Sequence, residues 1–196
     1  MISPMENLSS AGVVWTSLKQ WDSWLAKHHQ QEIGLWLLIA KKGSGKKSIA
    51  ISDALDVALC YGWIDSQRKG YDADYYLQRY SPRRPKSPWS KINVDRAEAL
   101  IRARRMRKPG LTAIAAAKAD GRWDAAYASQ RGATLPPDLA AALKRNKHAS
   151  AVFEQLDKTG QYLVTLPLLK ATTPTIRLIR LKQAITKLVA GNNASG

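Results

Sequence analysis

The chain predicts an α+β fold: a small, mainly antiparallel sheet packed by helices and continued by a C-terminal helical module. Three observations carry this reading. Apolar residues recur at helical spacing in several windows. Three short apolar or aromatic runs, residues 35–40, 63–68 and 75–80, are bounded by turn residues and read as strands. Beyond residues 129–137, a linker ending Leu135-Pro136-Pro137, every periodic segment is helical. Residues 1–130 therefore form the α+β core domain, and residues 131–196 a helical module packed on it. A chain of 196 residues buries roughly 70% of its unfolded surface and needs no disulfide or metal staple.

The first helix starts at Thr16 or Ser17, either of which can cap it, and runs to His28. Trp21, Trp24 and Leu25 face the core, and His28 and His29 sit at the helix C-terminus, where a cation is favoured. Leu35-Trp36-Leu37-Leu38-Ile39-Ala40 is a buried strand, Gly43-Ser44-Gly45 a turn, and residues 48–51 a further short strand. The string Gly43-Ser44-Gly45-Lys46-Lys47-Ser48 fails as a phosphate loop: Ala40 stands where the first glycine belongs and Lys47 where a hydroxyl should bind magnesium. Ser52 caps a helix that is apolar nearly all round through Cys60, and Gly62 ends it. Two strands follow, joined at Asp72-Ala73-Asp74. Asn93 caps a helix to Arg107, Pro109-Gly110 breaks it, and the next runs over 111–119. Residues 122–127 begin a further helical turn. The module reads as helices over 138–146, 148–156, 162–170 (bent at Pro167) and 174–190. Thr173 caps the last, with Pro174 at its first position. Leu178, Leu181, Ile185 and Leu188 line its inner face, and Arg180 and Lys187 point away.

The formal net charge is +16 and is concentrated. Residues 81–110 carry ten basic side chains against Asp95 and Glu98, and residues 161–196 carry five basic and no acidic ones. Clustered positive charge attracts polyanions, with strong salt dependence. One cysteine excludes an intrachain disulfide and suits a reducing compartment. No secretory signal pattern opens the chain, and the apolar run 35–40 is too short to span a bilayer. The expectation is a cytoplasmic protein without a transmembrane segment. Three histidines and one cysteine at these spacings form no metal motif, no triad pattern surrounds Cys60, and no cofactor fingerprint is present.

The segment with most chemistry is Tyr80-Ser81-Pro82-Arg83-Arg84-Pro85-Lys86-Ser87-Pro88-Trp89-Ser90-Lys91-Ile92-Asn93. Prolines on both sides of Arg83 and Arg84 stiffen the loop, which lowers the entropy lost on binding an anion. Trp89 is the candidate stacking face; Trp36 and Trp63 are read as core. Asp65, at the end of Cys60-Tyr61-Gly62-Trp63-Ile64-Asp65, is read as an ion-pair partner for Arg83 or Arg84, with an acid or base role as the alternative. The helix over 96–108 can lie along a phosphate backbone or stay solvated.

These residues resemble the YdeI/OmpD-associated family, also labelled bacteriocin-protection proteins. The resemblance runs from Trp15 to Gly191. Its motifs are Trp36-Leu37, Ala54-Leu55-Asp56, Ala58-Leu59-Cys60-Tyr61-Gly62-Trp63-Ile64-Asp65, Ser81-Pro82-Arg83-Arg84, Trp89-Ser90, Pro109-Gly110 and Asp120-Gly121 with Trp123. The chain departs at Ser81, at Arg104-Arg105-Met106 and at Thr175-Ile176-Arg177. The resemblance implies a link to envelope stress or to bacteriocin or antimicrobial-peptide resistance, and brings no catalytic set.

The functional expectation is a non-enzymatic cytoplasmic protein of stress or bacteriocin-resistance character that binds an anionic partner. The binding residues are Arg83, Arg84, Lys86, Trp89, Asp65, Asn93, Arg102, Arg105 and Lys108. A nucleic-acid binder using the same surface is the alternative. An enzyme acting on a small anionic substrate, with Asp65 near Arg83 and Arg84, is a further one.

Overall fold

A computed structural model of the chain describes residues 12–130 and 132–191. Among them are eight helices and one three-stranded antiparallel sheet, which makes the fold α+β. The described residues divide into two compact units: residues 12–87 with 93–124, and residues 88–92 with 125–191.

In the first unit, helix α1 (Leu18–His28) begins with a capping box: Ser17 accepts from the Gln20 amide, and the Gln20 side chain accepts from the Ser17 amide. It places Trp21 and Leu25 in the core, both fully buried. Strands β1 (Leu35–Ala40), β2 (Trp63–Gly70) and β3 (Tyr75–Pro82) form a sheet in the order β1-β3-β2. The register pairs Leu35 with Tyr80 and Asp65 with Tyr80, so these residues and Trp63 share a face. That face meets a tryptophan cluster. Trp21 lies 6.3 Å from Trp63 and 5.7 Å from Tyr80, ring to ring, and stacks on Trp15 and Trp24. The polar atoms of the buried rings are used: Trp21 donates to the Ala54 carbonyl, Trp63 to the His29 carbonyl and Tyr80 to the Ile51 carbonyl. The opposite face carries a separate cluster of Trp36, Leu38 and Leu77, with Tyr75 against it.

Helix α2 (Ile51–Cys60) is the central element of this unit, with Ala54, Val57, Ala58, Leu59 and Cys60 buried. Its chain reverses at Gly62 (φ +74°), a conformation that suits glycine, and β2 starts at the next residue. Helices α3 (Lys91–Arg102) and α4 (Lys108–Ala119) complete the order.

Several expectations are corrected. Residues 48–51 form no strand; the segment is held by single bonds from Ile49 N–H to the Trp15 carbonyl and from Ala40 N–H to Ser48 Oγ. Helix α2 is entered at Ala50, whose carbonyl takes the Ala54 amide, while Ser52 lies inside the first turn and bonds Asp53 instead of capping. Helix α3 starts at Lys91, whose amide bonds the Tyr127 carbonyl, so Asn93 is in its first turn and not its cap. It ends at Arg102, because Arg104 adopts φ +56° and turns the chain. Pro109-Gly110 lies within the first turn of α4, where a proline lacking its N–H costs no helical bond. Residues 121–125 form turns, not a helix, and Tyr127 then bridges Ser90.

The second unit holds helices α5 (Pro137–Arg145), α6 (Lys147–Gln155), α7 (Lys158–Leu169) and α8 (Pro174–Val189). Leu139, Leu143, Phe153, Leu168 and Leu188 are its core. Asn146 ends α5 and caps α6, accepting from the Ala149 amide at 3.0 Å. Asp157 caps α7, so that helix starts four residues before the expected Tyr162. Thr173 caps α8 as expected. Leu181, Ile185 and Leu188 meet the core, but Leu178 is exposed, and Arg180 folds back to donate to the Pro167 carbonyl at 2.7 Å. Among the described residues no helix is long and apolar enough to cross a membrane.

Candidate anion-binding surface

The C-terminal end of α2 organises the basic residues of the first unit. The Tyr61 and Gly62 amides meet its Ala58 and Leu59 carbonyls, which leaves the Cys60 carbonyl for an outside donor, and its last turn holds no basic residue. One loop supplies that donor, and a second is tied just past the helix end. The Arg83 amide donates to the Gly62 carbonyl at 3.0 Å, and the Arg107 amide donates to the Cys60 carbonyl at 3.2 Å. Residues 83–86 and 103–108, far apart in sequence, are thereby tied to carbonyls of neighbouring residues. Gly62 and Gly110 permit this approach. A Cβ on Gly62 would stand 3.2 Å from the Pro109 carbonyl oxygen, and one on Gly110 would stand 2.5 Å from the Cys60 oxygen.

Two carboxylates order part of this charge. Asp56, half-buried on α2, accepts from Arg96 at 2.7 Å and has Arg105 at 3.8 Å. Asp22 on α1 accepts from the Tyr61 hydroxyl at 3.2 Å and has Arg107 at 4.0 Å. Burial, and then the Asp22 charge, push the Tyr61 hydroxyl up from its ordinary pKa. Burial pushes the Cys60 thiol up to about 11, against the pull of Arg105. A thiol held neutral in this way is a poor nucleophile.

Arg84 and Lys86 are exposed, as are Arg104, Arg105, Arg107 and Lys108. Lys86 (φ 63°) and Arg104 (φ 56°), one in each loop, are the non-glycine residues with left-handed backbone among those described. That conformation costs roughly 1–2 kcal/mol for a residue with a Cβ.

Other expected members lie elsewhere or are otherwise occupied. Arg102 is exposed at the end of α3 with Glu98 at 4.0 Å. Asn93 is half-buried in the first turn of the same helix. Trp89 is 2% exposed, so its ring offers no open stacking face. Asp65 makes no ion pair among the described residues; it sits half-buried on β2 opposite Tyr80, where its charge adds to the burial that raises the tyrosine's pKa. The expected pairing of Asp65 with Arg83 or Arg84 is absent because the β2–β3 register sets Asp65 against Tyr80, and Ser81 and Pro82 separate that position from the arginines.

Asp56, Asp22 and Tyr61 were not singled out by the sequence as site residues. For Asp56 a signal existed, an acid in the middle of a helix whose other central residues are apolar. The partners of Asp22 are 39 residues and more away, a separation that no local pattern reports.

Residues 13–113, just over half of the chain, match the family described as Domain of unknown function (DUF8412). The chain belongs to the DUF8412 family. Both basic loops and the end of α2 fall inside that match. Residues 132–191 match a second family, described as Bacteriocin-protection, YdeI or OmpD-Associated, which bears out that resemblance for the C-terminal helices. The Ala58 to Asp65 and Ser81 to Asn93 motifs thus lie in the DUF8412 part. No curated protein and no solved structure matches this chain.

Proposed function

We propose that this DUF8412 chain is a cytoplasmic, non-enzymatic protein associated with bacteriocin protection that binds an anionic partner through residues 83–86 and 104–108. The association with bacteriocin protection follows from the match over 132–191. The anion-binding reading is carried by one observation: the two basic loops are tied to carbonyls two residues apart, one to Cys60 at the end of α2 and one to Gly62 just past it. Their backbones are held by the fold before any ligand arrives, which reduces the ordering cost of binding. The left-handed Lys86 and Arg104 support the same reading, because local strain concentrates where function requires it. Asp22 and Asp56 hold Arg107 and Arg105, while Arg84, Lys86 and Lys108 remain exposed for a partner.

The test uses inorganic polyphosphate and mixed-sequence duplex DNA as probes at roughly 50 mM salt. The Arg84→Glu/Lys108→Glu double variant should bind at least ~10-fold more weakly. Its thermal midpoint should stay within about 3 °C, because both side chains are exposed. Duplex binding with a log–log salt slope near −0.9 per phosphate would identify nucleic acid as the partner class. Unchanged binding in the double variant, or no binding of either probe, rejects the proposal.

A further inference from the structure

We propose that the C-terminal unit carries a pocket for the α-carboxylate end of an amino acid or short peptide with an apolar final side chain. A cavity of about 370 Å³ opens between α6, α7, Gln130 and residues 133–135. That volume lies at the low end of the range for small-ligand sites, roughly 300–1,000 Å³, and suits one or two residues. Phe153, 7% exposed, provides an apolar wall, and Leu135, 43% exposed, an apolar lip.

The polar lining has an uneven balance of donors and acceptors. Thr165, buried within α7, donates its hydroxyl to the Gln161 carbonyl at 2.9 Å. The Tyr162 hydroxyl donates to the Ala128 carbonyl at 3.2 Å. The Gln161 amide nitrogen donates to the Phe153 carbonyl, and that of Gln130 to Thr159 Oγ1. With these bonds made internally, the lining offers a ligand the hydroxyl oxygens of Thr165 and Tyr162 and the amide oxygens of Gln130 and Gln161 as acceptors, with the second N–H of each amide beside them.

Lys158 is the single charged side chain among the described lining residues, and it makes no ion pair among the described residues. Its neighbour Asp157 is committed to the Gly160 amide at 2.6 Å. The described lining therefore presents one cation, several acceptors and an apolar wall. A carboxylate answers the first, amide or ammonium N–H groups the second, and an aliphatic or aromatic side chain the third. A simple amine would meet Lys158 as a like charge.

The full chain is titrated with N-acetyl-alanyl-leucine and N-acetyl-alanyl-phenylalanine, with their C-terminal amides, and with free leucine and phenylalanine. Calorimetry or chemical-shift perturbation gives the affinities. The acids should bind, the amides at least ~10-fold more weakly, and Lys158→Gln should abolish the difference. Lys158 is exposed, so the variant keeps its fold, checked by circular dichroism. Binding of the free amino acids points to a metabolite ligand, and binding of the peptides alone to a chain end; both support the pocket's chemistry. Equal binding of acids and amides, indifference to Lys158→Gln, or no binding at about 10 mM overturns the proposal.

Discussion

Gly110, in the first turn of α4, lies against Cys60, the last residue of α2: a Cβ there would stand 2.5 Å from the Cys60 carbonyl oxygen, 2.5 Å from Met106 Sδ and 2.7 Å from the Leu59 oxygen. Two of these three obstacles are backbone. A methyl group at this position cannot be accommodated by turning a side chain. Gly110→Ala should therefore cost about 2–3 kcal/mol, although alanine is the better helix former by ~1 kcal/mol. Urea unfolding measures it. A neutral or stabilising change would show that the two helix ends are further apart than described.

The carbonyl that excludes a side chain at Gly110 belongs to a residue whose thiol is buried. Cys60 should resist iodoacetamide in the native protein at pH 8 and react only on unfolding, because its thiol is pushed from 9.0 to about 11. The same shift makes stability depend on pH. The folded state holds this proton more tightly than the unfolded state, so the contribution is complete below pH 9.0 and is lost as pH rises toward about 11. Tyr80, raised first by burial and then by the Asp65 charge, acts in the same direction. The unfolding midpoint should fall across that window, and less steeply in Cys60→Ala. Rapid labelling at pH 8 would contradict the burial.

The fold was legible where short-range chemistry decides it. A cap at Thr16 or Ser17, the Gly62 reversal and the Thr173-Pro174 start are written in neighbouring residues; the structure takes Ser17 and keeps the other two. Helix ends set by distant partners were not. The α3 start depends on the Tyr127 carbonyl, and its stop on the left-handed Arg104. The candidate site divides in the same way. Charge density in residues 81–110 was visible, and so was the stiffness of Pro82 and Pro85. That residues 83–86 and 103–108 are tied to carbonyls two residues apart, those of Gly62 and Cys60, is something no pattern of side chains reports. Trp89 shows the limit from the other side: an aromatic amid prolines and cations reads as a contact surface, yet it is 2% exposed.

The C-terminal unit has its own pH response. Arg177 forks onto Asp138, Nε to Oδ2 at 2.6 Å and Nη2 to Oδ1 at 2.8 Å, and its remaining nitrogen reaches the Leu168 carbonyl at 3.2 Å. The hydrogen bond from Arg177 holds the Asp138 carboxyl below its usual 3.8. A lowered carboxylate contributes stability above the unfolded value and loses it as pH falls through the folded one. Both side chains are about a third exposed, so solvent screening limits the contribution to ~1 kcal/mol. Asp138→Asn should be less stable than the parent by about that much at pH 7 and indistinguishable from it well below pH 3.8. Arg177→Lys should lose a similar amount at neutral pH, because a single ammonium cannot reproduce the fork. A constant gap between parent and Asp138→Asn at every pH would contradict the ion pair.

Lys86 and Arg104 separate binding from stability. Each holds a left-handed backbone, at φ 63° and φ 56°, that glycine adopts without steric cost. Replacing either by glycine removes a local strain of roughly 1–2 kcal/mol. The larger conformational freedom of glycine in the unfolded chain offsets part of that, leaving a net gain of up to ~1 kcal/mol. Each replacement also deletes one exposed cation from the surface proposed to meet an anion. Lys86→Gly and Arg104→Gly should therefore raise the urea midpoint while weakening polyphosphate or DNA capture. Each should also shallow the salt dependence by about one phosphate contact. Loss of stability in both variants would mean that the side chains, not the ligand, justify the left-handed turns. Retained affinity in both would place the anion surface away from these loops.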